Sequence, residues 1–187
     1  MKKTINIAER LPRWYGTGIM IVYSLLFAEF SSTINHLFPI DLMNDLLSIF
    51  FQISYGLTIV SGMIVWIVMT FLFHLTALLL NGRSSFGRFL FTSAYPYIIP
   101  AIMILAGILI VDNIPPISTM EEANVLMNNQ SLTLAMNLIN YSFIPYYILI
   151  AVIIHYLYEV KYLFAALSVM IPVVSVWLIT ELFKILL

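Results

Sequence analysis

Five stretches of predominantly apolar residues alternate with short polar segments along this chain. At 1.5 Å per residue, a helix of about 20 such residues crosses a ~30 Å hydrocarbon core. The expected spans are Gly16 to Phe38, Gly56 to Leu80, Ser93 to Val111, Leu132 to Tyr158 and Tyr162 to Phe183. The fold class that follows is all-α: a polytopic integral membrane protein with five transmembrane helices in one domain, residues 1–187.

Two of the apolar runs need interpretation. Basic residues precede the first, as in a signal peptide, but the run exceeds the usual signal core and no small-x-small cleavage site follows it. A retained first span is the expectation. The 37 residues from Leu46 to Gly82 carry no formal charge, and as one helix they would measure about 55 Å, too long for a single perpendicular crossing. An interfacial piece over Leu46 to Tyr55 is expected, joined to the second span at Gln52, Ser54 and Gly56.

The polar segments supply the punctuation. A hairpin with two arginines, Asn81 to Thr92, separates spans two and three. Pro96 and Pro100 follow in the first two turns of span three, where a missing N–H costs least at the very start and kinks the helix further in. The segment from Asp112 to Gln130 forms a polar loop. Within it Ser118 and Glu121 fit a capping box, so a short helix over Met120 to Met127 is expected. Pro145 and Pro172 fall inside spans four and five.

Composition sharpens this picture. The chain is 62% apolar and 9% charged, against roughly 25% charged residues in ordinary soluble domains. Its net charge of −1 excludes a polybasic nucleic-acid binder. With no cysteine, disulfides, thiol nucleophiles and thiolate metal sites are all excluded. Lys2, Lys3, Arg10, Arg13, Arg83, Arg88 and Lys161 would share one side, and only Lys184 the other. Positive residues in short loops stay cytoplasmic, so the amino terminus is expected inside and the carboxyl terminus outside. Asp41, Asp45, Asp112, Glu121 and Glu122 would then lie outside.

Few residues suggest chemistry. Glu29 interrupts span one near its middle, and an intramembrane carboxylate is costly enough to mark a cavity, a partner group or a transport path. Ser32 and Thr33 offer it local hydrogen bonds. His74 and His155 lie at comparable depth, and with Glu159, one helical turn beyond His155, they would present three N/O ligands for a divalent metal or a proton relay. The His-Glu-x-x-His spacing is missing, so packing histidines and no bound metal or other cofactor are expected. Arg83 and Arg88 suit lipid phosphate or an acidic partner surface, or set topology alone. Gly56, Gly62 and Ala151 are candidate close-contact positions between helices.

The hairpin also carries a resemblance. His74-Leu75, then Gly82 with Ser85-Phe86, then Tyr95-Pro96 and Pro100 is a pattern similar to that of the Yip domain family, the Ypt/Rab-interacting membrane proteins, and within it the bacterial branch. The five-span layout and cytoplasmic amino terminus agree. The acidic-Leu-Tyr-Gly-Pro motif of eukaryotic members is absent. The resemblance implies a non-enzymatic membrane protein acting through partners or on the lipid bilayer. It would serve as a scaffold or accessory subunit of another integral membrane complex, such as an exporter or a toxin- or stress-defence system. It would reside in the bacterial plasma membrane, with an endomembrane as the alternative, and a homo-oligomer is compatible. The alternative is a small oligomeric transporter, channel or lipid-moving protein that uses Glu29.

Overall fold

The computed structural model describes residues 12–38, 45–117 and 122–186. The basic residues before Pro12, most of the loop after Phe38 and the expected Ser118–Glu121 cap lie outside the described residues. Within them the chain is helical, with no strand. The elements are α1 (Arg13–His36), α2 (Asp45–Leu79), α3 (Phe86–Ser93), a 3₁₀ turn (Tyr95–Tyr97), α4 (Ile98–Val111), α5 (Glu122–Met127), α6 (Gln130–Tyr158) and α7 (Tyr162–Leu186). Among the described residues, five helical segments are long and apolar enough to cross a membrane: Trp14–His36, Ile53–Leu79, Phe86–Val111, Gln130–Tyr158 and Tyr162–Ile185.

The two departures from the expected boundaries have local causes. No break separates an interfacial piece from span two, because α2 runs unbroken from Asp45 to Leu79. Thr58 Oγ1 donates to the Ser54 carbonyl at 2.8 Å, a bond along the helix that leaves its ladder intact. Gly56 has nothing within 4 Å of its Cβ position, so no neighbour demands a turn there. The hairpin is also shorter than Asn81 to Thr92. Ser85 is extended (φ −88, ψ 142) and starts α3, which buries Phe89, Thr92 and Ser93. Arg88 therefore lies on a helix, and the Tyr-Pro-Tyr turn rather than the hairpin separates α3 from α4.

The residues group into two compact units. The first contains residues 1–17, 65–96 and 146–187, and the second residues 18–64 and 97–145. The breaks after residues 96 and 145 fall on prolines, which interrupt the backbone ladder of a helix.

In the first unit the start of α1 meets the end of α3. A Cβ on Gly16 would stand 2.7 Å from the Phe91 carbonyl oxygen, so glycine is what allows this approach. Trp66 Nε1–H donates to Ser93 Oγ at 3.2 Å, and Thr70 Oγ1 lies 3.1 Å from the same oxygen. These buried hydroxyls tie α2 to α3. In the second unit, a Cβ on Gly62 would stand 2.7 Å from Ser24 Oγ, and one on Gly107 would stand 3.2 Å from both Phe30 and Ile139. The Ile117 N–H donates to the Leu37 carbonyl at 2.9 Å, anchoring the segment after α4 to the end of α1.

Gly16→Ala should lower stability by about 1–3 kcal/mol through overpacking against a backbone oxygen that has no rotamer to escape into. Gly18→Ala, with nothing within 4 Å, should be neutral or slightly stabilising. Thermal unfolding in mild detergent compares the two.

Candidate functional site

The arginine turn is built from the end of α2. Asn81 takes the left-handed conformation (φ 67), its N–H donates to the Leu78 carbonyl at 3.0 Å, and the Gly82 N–H donates to Ala77 at 2.9 Å. This is a Schellman ending, with asparagine where glycine is commonest. It satisfies carbonyls that a helix end otherwise leaves open. Gly82 is buried directly beneath. A Cβ there would meet the Ala77 oxygen at 2.7 Å and Tyr158 Cδ1 at 2.9 Å.

Tyr158, the last residue of α6, is 1% exposed and holds this turn by three separate means. Its carbonyl accepts the Arg83 N–H at 3.2 Å. Its hydroxyl pairs with His74 Nδ1 at 2.5 Å. Its ring meets Phe89 edge-on, with centroids 5.4 Å apart. His74 in turn lies 5.4 Å from the Phe86 ring, and Phe71 meets Phe86 at 5.8 Å. The resemblance residues His74, Gly82 and Phe86 thus converge on one core beneath the turn, while Ser85 begins α3. Arg83 and Arg88 remain exposed, one on the turn and one on α3. Tyr95 and Pro96 form the 3₁₀ turn instead, and Pro100 is the third residue of α4, where its missing N–H falls in the first turn.

The second histidine has different neighbours. His155 Nδ1–H donates to the Val160 carbonyl at 2.6 Å, and its ring stacks on Tyr162 at 3.6 Å. Glu159 beside it is exposed and left-handed (φ 56), which reverses the chain in the short link to α7. Among the described residues, no three histidine, aspartate or glutamate side chains group closely enough to hold a metal ion.

Glu29 lies in the other unit, on an exposed face of α1. Its partner is the Tyr55 hydroxyl, which donates to Oε2 at 3.3 Å. Thr33 Oγ1 bonds the Glu29 backbone carbonyl at 2.9 Å rather than the carboxylate. Tyr55 is two residues into the Ile53–Leu79 span. The pair ties the carboxylate on α1 to a phenol on α2 within the second unit.

Tyr158 and Tyr55 are the two site residues that sequence reasoning did not single out. Both resemble ordinary interface aromatics until the helices are packed. Compared with family models, curated proteins and solved structures, the chain gives no match.

Tyr158→Phe should cost about 1–3 kcal/mol by leaving His74 Nδ1 buried without its partner. Trypsin cleavage after Arg83 should accelerate as the turn loosens, whereas Tyr156→Phe should leave cleavage unchanged. Limited proteolysis of the membrane-embedded protein reads both.

Proposed function

We propose that the protein is a non-enzymatic, Yip-like scaffold or accessory subunit of another integral membrane complex, docking its partner on the Arg83–Arg88 hairpin. The observation that carries this reading is the convergence of His74, Gly82, Phe86 and Tyr158 on the support of one turn. A turn fixed before binding loses little conformational freedom on binding. Arginine is suited to such a surface, because its planar fork engages carboxylate or phosphate through two parallel hydrogen bonds. An acidic cytoplasmic segment of the partner is the matching chemistry.

Topology follows from the same residues. With Arg83 and Lys161 in short links and Arg88 in the first turn of α3, the hairpin faces the cytoplasm, the amino terminus shares that side and the carboxyl terminus lies across the membrane. The bacterial plasma membrane is the setting we propose, with an exporter or a toxin- or stress-defence complex as partner. Transport centred on Glu29 draws less support, since the residue is exposed and paired with Tyr55.

In-membrane crosslinking of the tagged protein, followed by mass spectrometry, should recover a reproducible membrane partner. Arg83→Glu with Arg88→Glu should reduce that recovery at least ten-fold while protein abundance holds, as expected for lost charge-assisted contacts of about 1.5–3 kcal/mol each. Undiminished recovery from the double variant would remove the hairpin from the interface. Recovery of no partner from the parent would reject the accessory role.

The chain lacks native cysteines, so single replacements report sidedness directly. A cysteine at Arg83 should react with an impermeant maleimide only after the membrane is opened, and one at Asn113 should react in intact cells. The reverse pattern would invert the topology.

A further inference from the structure

Two carboxylates fall within the five spans, Glu29 and Glu181. Glu181 lies four residues from the end of its span and is paired with Lys184 at 2.8 Å. Glu29 is placed differently. It follows Trp14 by fifteen residues and precedes His36 by seven, which is about 22 Å and about 10 Å along a span of about 33 Å. Wherever a ~30 Å core falls along that span, Glu29 is at least about 7 Å inside it.

Glu29 is exposed, and the residues above and below it form a seam. Val22 and Leu25 are 54% and 41% exposed. With Glu29, half-buried Ser32 and exposed His36 they recur at intervals of three, four, three and four residues, the spacing by which one helix packs along another. Among the described residues the carboxylate accepts one hydrogen bond, from the Tyr55 hydroxyl at 3.3 Å, longer than the roughly 2.5–3.0 Å usual between two oxygens. A carboxylate has about four acceptor positions, and lipid chains supply no donor to the rest.

We infer that this seam docks a transmembrane helix of a partner protein that carries a lysine or arginine at the depth of Glu29. Charge decides the class of partner. Intramembrane carboxylates pair with cations, and the attraction is strongest where the dielectric is low. A second copy of this chain cannot supply the cation. Of its eight Lys and Arg residues, six lie outside the five spans, Arg88 is the third residue of its span and Lys184 the last but one of its own. The occupant is therefore a different chain. Tyr55 is a positioning residue, holding Oε2 and leaving Oε1 to the incoming cation. This inference rests on the accessory-subunit reading and adds a contact within the bilayer, separate from the arginine hairpin.

The test places the photoreactive analogue p-benzoylphenylalanine at Val22 or Leu25 of the full chain in native membranes. Leu105, 48% exposed on α4, is the control position. Irradiation should link positions 22 and 25, and not 105, to a transmembrane peptide with a Lys or Arg within about two helical turns of the attachment point. Glu29→Gln keeps an acceptor for Tyr55 but loses the charge, and should cut the adduct roughly ten-fold. Glu29→Lys should abolish it. Glu29→Lys together with glutamate in place of the partner's base should restore it, a recovery that damage to the fold would not produce. An adduct unchanged by Glu29→Gln, a linked peptide with no base in its span, a product joining two copies of this chain, or equal linkage at 105 would overturn the proposal. So would no adduct at 22 or 25 while the tagged protein still recovers a partner, an outcome that leaves the accessory role standing. Recovery of no partner by either route would reject both.

Discussion

A helix that stops inside or beside a membrane must dispose of its last carbonyls without help from lipid; the end of α2 does so with the Asn81 and Gly82 N–H groups that follow it, and one residue of another helix holds the resulting turn in place. Tyr158 accepts the Arg83 N–H on its backbone carbonyl, engages His74 with its hydroxyl and packs its ring against Phe89. Asn81 and Gly82 complete the ending from within. The direction of α3, the exposure of both arginines and the burial of His74 all depend on this junction. Because Tyr158 closes α6, the same junction also fixes where the link to α7 begins.

The prolines and glycines act in a related way. Pro96 sits in the 3₁₀ turn that divides α3 from α4, and Pro145 and Pro172 lie within continuous helices. Gly16, Gly62 and Gly107 occupy places where a Cβ would come within 3.2 Å of a neighbouring helix. Without a hydrophobic driving force between helices, such close approaches carry much of the packing. Hydroxyl groups supply the rest, as in the Trp66, Thr70 and Ser93 set.

Glu29 illustrates how packing changes the meaning of a residue. A carboxylate in an apolar run reads as a mid-membrane charge when only its place in the run is considered. Its bond to Tyr55 gives that charge a phenolic donor on a second helix, a partner that the run by itself does not name. The histidines make the same point from the other unit: comparable depth suggested a shared site, yet each ring has its own neighbours.

The sequence by itself determined the helical class and the number of spans, because apolar run length is set by bilayer thickness and needs no tertiary information. It also marked the hairpin residues, since the glycine, histidine and aromatic positions there are local requirements of one turn. Only the tertiary structure decided that α2 is unbroken, that α3 begins at Phe86, that Tyr158 partners His74 and that Tyr55 partners Glu29. Those outcomes depend on which faces meet. Apolar periodicity says little about facing in a membrane, where lipid-facing and core-facing positions are equally hydrophobic. Loss of that contrast, which orients helices in water-soluble proteins, is why the architecture was legible in the chain and the contacts were not.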